Sequence, residues 1–222
     1  MLAAGDITAA VATITAIADP QTAMDALARL CRQAYRELKS VPSMTALAWE
    51  AIGFGLQCAA ASPDPESAGG YKSSARAIAY NAGANCWPGW GDDVEITPAD
   101  IAEGLKLAQR SYELVEELGL GDRATGTSLW LIGALQMSAG NLSTAVVGFL
   151  HAEETFHAAK LPAQEAMARG YAALATKLLP ESHLRGAESL EAVLLSLRAM
   201  ESREAHFFAD QLVTADRIFS AR

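Results

Sequence analysis

The sequence predicts an all-α protein of about ten helices, and three features carry that expectation. Apolar residues recur in alternating steps of three and four, Asp or Thr followed by Pro opens several of these runs, and Gly closes others. No stretch alternates convincingly in the manner of a half-buried strand. With 222 residues and a hydrophobic content of 51%, the chain has ample material for a core, so residues 1–222 are read as a single helical domain.

Taken in order, Ala4 to Val11 aligns without a gap to Ala139 to Val146. Both segments hold a Gly turn, a capping Asp or Asn, an aliphatic residue and a small residue three later. Either the chain begins at the second helix of a hairpin, with a preceding helix in a longer parent, or this is a well-capped first helix and nothing more. Asp19-Pro20 then supplies an N-cap and a first-turn proline for a helix through about Lys39. Ser40 to Ser43, with Pro42, breaks it, and the next helix runs from about Met44 to Ala61. Ser62 to Gly70, SPDPESAGG, is dense in turn formers and reads as a long surface loop.

A helix from Tyr71 to about Cys86 follows, with Gly83 free of a side chain where another backbone would approach. Trp87 to Ile96 is a long connection, and Thr97-Pro98-Ala99-Asp100 restarts the chain with a cap, a first-turn Pro and an acid at the positive helix end. That helix carries Ile101, Leu105, Ala108, Tyr112 and Val115 on one side and ends at Gly119.

Thr127 to Phe156 organises the rest. Leu129, Ile132, Gly133 and Gln136 share a face, Ala139-Gly140 stops the first helix, and Asn141 caps a second whose apolar residues are Leu142, Ala145, Phe149, Ala152 and Phe156. Small residues with Phe149 as the large knob let the two helices lie antiparallel at short distance. Leu161-Pro162 opens a helix to about Leu179 with Gly170 available for close packing, and Pro180 ends it. Helices over about Ala187–Met200 and Arg203–Ser220 finish the chain, the last covering the open end of the stack.

The hairpin resembles a tetratricopeptide repeat, whose pattern is W-x2-L-G-x2-Y followed by A-x3-F over ~34 residues. Ile132-Gly133 stands at Leu-Gly, Gly140-Asn141 at the turn, and Ala145 to Phe149 at A-x3-F; Leu129, Gln136 and Pro162 depart from the family's Trp, aromatic and earlier Pro. Trp49 to Leu56 also matches the first half, but helix counting puts it in the wrong place of its hairpin, so this is a chance match or a phase shift. The resemblance implies a right-handed array of antiparallel hairpins, an α-solenoid, whose first helices line a concave groove. By alignment that groove holds Tyr80, Asn81, Trp130, Leu131, Ala134, Met137, Met167 and Tyr171, or these residues are simply core. Only Asn81 matches the basic clamp with which some members hold a carboxylate tail, so an apolar peptide, a helix or a second copy of the chain suits the groove better.

Two further constellations compete with that reading. Trp87 and Trp90 flank Pro-Gly and precede Asp92 and Asp93, a set that could stack a flat ligand or hold a cation, or fold its rings onto nearby helices and leave its acids in water. Glu154-x-x-His157 has the spacing of a di-iron carboxylate helix, but no residue three before His151, His183 or His206 is a Glu, so a solvated face with Glu153 and His157 paired is expected. No nucleophile elbow, phosphate-cradling Gly loop or paired-Cys zinc spacing occurs.

Subtracting 26 acidic from 17 basic residues leaves a net charge of −9, which opposes nucleic acid and anionic membranes as partners. Cys31, Cys58 and Cys86 sit among apolar residues and are odd in number, as buried thiols of a reducing compartment would be. Asp6 interrupts the first apolar run and no basic residue precedes Arg29, unlike a signal peptide. The expectation is a cytoplasmic, non-enzymatic interaction scaffold with no metal or cofactor. The alternative is an enzyme or small-ligand binder using Trp87 to Asp93.

Overall fold

The computed structural model describes residues 7–180 and 189–221. Asp6, His183 and the proposed helix start at Ala187 lie outside them. All regular structure among the described residues is helical: α1 (Ile7–Thr15), α2 (Pro20–Arg36), α3 (Val41–Ala61), α4 (Pro65–Asn85), α5 (Pro98–Leu118), α6 (Asp122–Ser138), α7 (Leu142–Ala158), α8 (Pro162–Lys177), α9 (Leu190–Ala199) and α10 (Arg203–Ser220), with a single 3-10 turn over Pro88–Trp90. The chain divides into two compact units, Met1–Cys86 with Asp93–Gly119, and Trp87–Asp92 with Leu120–Arg222.

In the first unit each helix packs chiefly on its sequence neighbours, from α2 through α5. Helix starts obey one local rule. Asp19, Ser40, Asp64 and Thr97 each accept a backbone N–H from the first turn, and each is followed within two residues by Pro. Thr97 and Asp100 complete a reciprocal capping box. The same rule corrects two expectations. Pro42 does not break the chain but lies in the first turn of α3 behind Ser40, and the expected loop to Gly70 is only residues 62–64, because Asp64-Pro65 starts α4. Gly69 and Gly70 stay helical, since neither has a positive φ.

Gly83 behaves as expected, since a Cβ there would lie 3.2 Å from the Gly104 carbonyl oxygen and the Ala108 nitrogen of α5. Gly53, by contrast, faces open space, and Gly55 meets Met24 instead. The Trp49 to Leu56 match therefore lacks the close approach that its glycine would serve. On α5 the core side is Leu107, Leu114, Ile101, Ala108 and Val115, while Leu105 and Tyr112 are only half-buried. Helix α5 packs on α4 and α3, and its buried face is shifted toward Leu107 and Leu114 from the one its periodicity suggests.

Hydrogen bonds from the Thr22 and Ser67 side chains hold the carboxyls of Asp19 and Asp64 below their ordinary value. A depressed folded value means the cap helps above the unfolded pKa and is lost as pH falls through the folded one. The first turns of α2 and α4 should therefore fray only below about pH 4, read as faster amide exchange at Thr22 and Ser67 relative to mid-helix amides. Asp64→Asn should abolish that step at Ser67; an unchanged acid profile would refute the assignment.

In the second unit, α7 packs on both α6 and α8, and α8 packs on α9 and α10. Residues 139–141 join α6 to α7, so the pair is antiparallel. Gly140 takes a left-handed φ of 80° and ends α6. Asn141 sits at the N-cap position, but its side-chain amide donates to Gln136 Oε1 at 2.8 Å instead of capping α7. Ala145, Phe149, Ala152 and Phe156 are buried as the spacing requires. A Cβ on Gly133 would come 2.9 Å from the Phe149 ring, one on Gly126 2.7 Å from Phe156, and one on Gly148 3.4 Å from Gly133 Cα. Gly170 makes the same kind of room for Leu212 of α10.

Candidate functional site

The face of α6 opposite this hairpin contact is where the resemblance implied a groove, and it is filled. Trp130, Leu131, Ala134 and Met137 on α6, and Met167 and Tyr171 on α8, are all buried, with Trp130 only 3% exposed. The expected exposed apolar groove is therefore corrected to core. The unit's own Trp87–Asp92 segment lies against Trp130 and Tyr171 of this face. The Trp87 ring lies 5.5 Å from Trp130 and 5.7 Å from Tyr171, centroid to centroid, and Trp90 lies 6.1 Å from Trp130. Phe219 of α10 stacks on Trp87 at 6.4 Å.

That geometry also separates the rings of the Trp87 to Asp93 segment from its acids. Gly91, in a left-handed conformation at φ 74°, ends the 3-10 turn and lets both rings turn inward, where they meet edge-on at 4.8 Å. Trp87 is fully buried, so neither face is offered to a flat ligand. Asp92 and Asp93 are exposed, and Asp93 pairs with Lys39, which holds its carboxyl below its ordinary value. The segment's rings and acids thus part company, against the expectation of one ligand site built from both.

The aromatic cluster leaves three polar atoms in an unusual position. Trp87 Nε1, Trp130 Nε1 and the Tyr171 hydroxyl are buried and have no hydrogen-bond partner within the protein. Burial pushes the Tyr171 pKa well above its ordinary value, so the phenol stays protonated. Sequence reasoning did not find these atoms. Two Trp and a Tyr at core positions was the available signal, since each brings a polar atom that must find a partner when buried.

Tyr80 and Asn81 belong to the other unit. Burial pushes the Tyr80 pKa up to about 12, while Asn81 is exposed at the mouth of a cavity of ≈ 20 Å³ that it lines with Cys31, Arg32, Met44 and Asn85. Such a volume holds about one water. Cys31, Cys58 and Cys86 are all free thiols. Burial raises Cys31 and Cys86 to about 12, leaving them neutral and poorly nucleophilic.

On the α7–α8 surface, Glu153 and His157 do not pair with each other. Arg169 of α8 donates to Glu153 at 2.7 Å and to Glu165 at 2.8 Å, and His157 lies 3.1 Å from Glu165. Rows of charge across a helix pair replace the expected pair within one helix. Among the described residues, no three His, Cys, Asp or Glu side chains are grouped so as to hold a metal, and no helix is long and apolar enough to cross a membrane.

In comparisons with known proteins, no family model, curated protein or solved structure matches this chain. The tetratricopeptide resemblance therefore rests on the residues of the α6–α7 hairpin.

Proposed function

We propose that this chain is a non-enzymatic helical-repeat scaffold, working in the cytoplasm, that binds a peptide, a helix or a second copy of itself. One observation supports it most: the inner face of α7 is spent on α6 and α8, whereas its outer face leaves Val147 52% and Leu150 44% exposed, one turn apart. Because the inner groove residues are core, the apolar contact belongs to this outer face. The tetratricopeptide-like hairpin fits such a role, and three free thiols fit the compartment.

Trp130→Glu or Met167→Glu would test folding rather than binding, since both side chains are buried. The informative variant is Val147→Glu with Leu150→Glu. It should keep wild-type helicity and melting temperature, because surface changes usually move stability by less than about 0.5 kcal/mol. It should lose self-association in sedimentation, or a stoichiometric partner cross-linked to α7. If wild type is monomeric and both proteins cross-link to the same partners equally, the scaffold reading fails.

A second reading, a small-ligand binder using the Trp87 segment, draws on the Trp87 indole N–H, which lacks a protein acceptor.

A further inference from the structure

The geometry points to a buried site for one neutral oxygen acceptor, a carbonyl oxygen or a water, among Trp87, Trp130 and Tyr171. The inference deepens the small-ligand reading and is independent of partner binding.

Three rings from three separate elements meet there: Trp87 from the segment before the 3-10 turn, Trp130 from α6 and Tyr171 from α8. Their centroids lie 5.4 to 5.7 Å apart in every pairing. Each ring carries a buried polar atom without a protein partner. Leaving one such atom unsatisfied costs the full desolvation of that group, so three in one cluster would consume a large part of a domain's net stability. The edge-on ring contacts supply at most weak N–H to ring attraction, too little to offset that cost.

The chemistry of the three groups selects the guest. Two indole N–H groups can only donate, and a protonated phenol donates as well as accepts, so a guest that satisfies all three must be an acceptor. The rings around it are aromatic: Phe149 lies 5.4 Å from Tyr171, and Phe219 stacks on Trp87. A carboxylate among these rings would be stripped of water. A neutral oxygen meets no such objection. Because the rings are in direct contact, the guest is no larger than a water or the tip of a carbonyl-bearing molecule, and it would fasten the Trp87 segment to α6 and α8.

Tyr171→Phe tests this while keeping the ring. If an acceptor is bound, the variant loses one of its donors and the melting temperature falls by several degrees. If the hydroxyl is unpartnered, its removal relieves a desolvation penalty and the melting temperature stays level or rises. NMR cross-relaxation from the Trp87 and Trp130 indole protons to water, with native mass spectrometry of the wild-type chain, separates the two sources. Cross-peaks to water with no added mass identify water; an added mass lost on denaturation identifies an organic carbonyl compound. Absence of both cross-peaks and added mass overturns the site whatever the melting temperature does, and so does an unchanged or higher melting temperature in Tyr171→Phe. Failure of the Val147/Leu150 experiment leaves this result untouched.

Discussion

Phe149→Ala should remove about 3–5 kcal/mol of stability, enough to bring the second unit close to unfolding, because the ring is fully buried and fills the space above Gly133. Chemical denaturation followed by circular dichroism measures it. The sharper form of the prediction concerns the partner residue. Gly to Ala in a helix interior ordinarily stabilises by roughly 1 kcal/mol. At Gly133 the new Cβ would stand 2.9 Å from the Phe149 ring, so Gly133→Ala should instead destabilise the wild-type protein. In the Phe149→Ala background the obstruction is gone and the same substitution should turn stabilising. That reversal of sign is a coupling energy between contacting residues. If Gly133→Ala has the same effect in both backgrounds, α6 and α7 do not approach through these two residues.

Trp87→Ala should be comparably severe, costing about 3–5 kcal/mol. Its ring is inaccessible to solvent and touches Trp90, Trp130, Tyr171 and Phe219. A tryptophan exposed on a loop to stack a ligand from solvent would behave differently, since its removal would cost affinity and little stability. Asp93→Ala is the matching control six residues on. Its side chain is 96% exposed and pairs only at the surface with Lys39, and such pairs contribute little. Denaturant midpoints for the two variants should therefore diverge widely. Similar small shifts in both would mean that the Trp87 segment is not anchored in the core of its unit.

The contrast between these two residues shows what was legible in the residue pattern. Local rules are legible at several helix ends, where one turn of chain contains the whole physics. Asp19-Pro20, Thr97 with Asp100, and Gly140 at a helix end all work through hydrogen bonds and backbone angles within a few residues. Ala145, Phe149, Ala152 and Phe156 were identifiable because a buried stripe repeats at the helical period. The same rule is masked at Ser40 with Pro42 and at Asp64-Pro65, where the density of Ser, Pro and Gly suggests a break or a loop more strongly than the cap suggests a helix. Composition is an average over a window, whereas a helix start depends on a few bonds.

What faces each stripe is another matter. Periodicity showed that Trp130, Leu131, Ala134 and Met137 lie together, yet it could not say whether a partner or the chain itself covers them. What lies on Trp130 is a segment more than 35 residues earlier in sequence, and no local signal relates Trp87 to Trp130 or Tyr171. By itself, then, the amino-acid order determined that the chain is helical, where most helices begin, and which hairpin packs through glycine. Only the tertiary structure decided that Trp87 closes over α6 and α8, that its indole nitrogen is buried with two further polar atoms, and that Val147 and Leu150 stay outside. The reason is that hydrogen bonding along a helix is settled by near neighbours, while burial depends on every element that arrives.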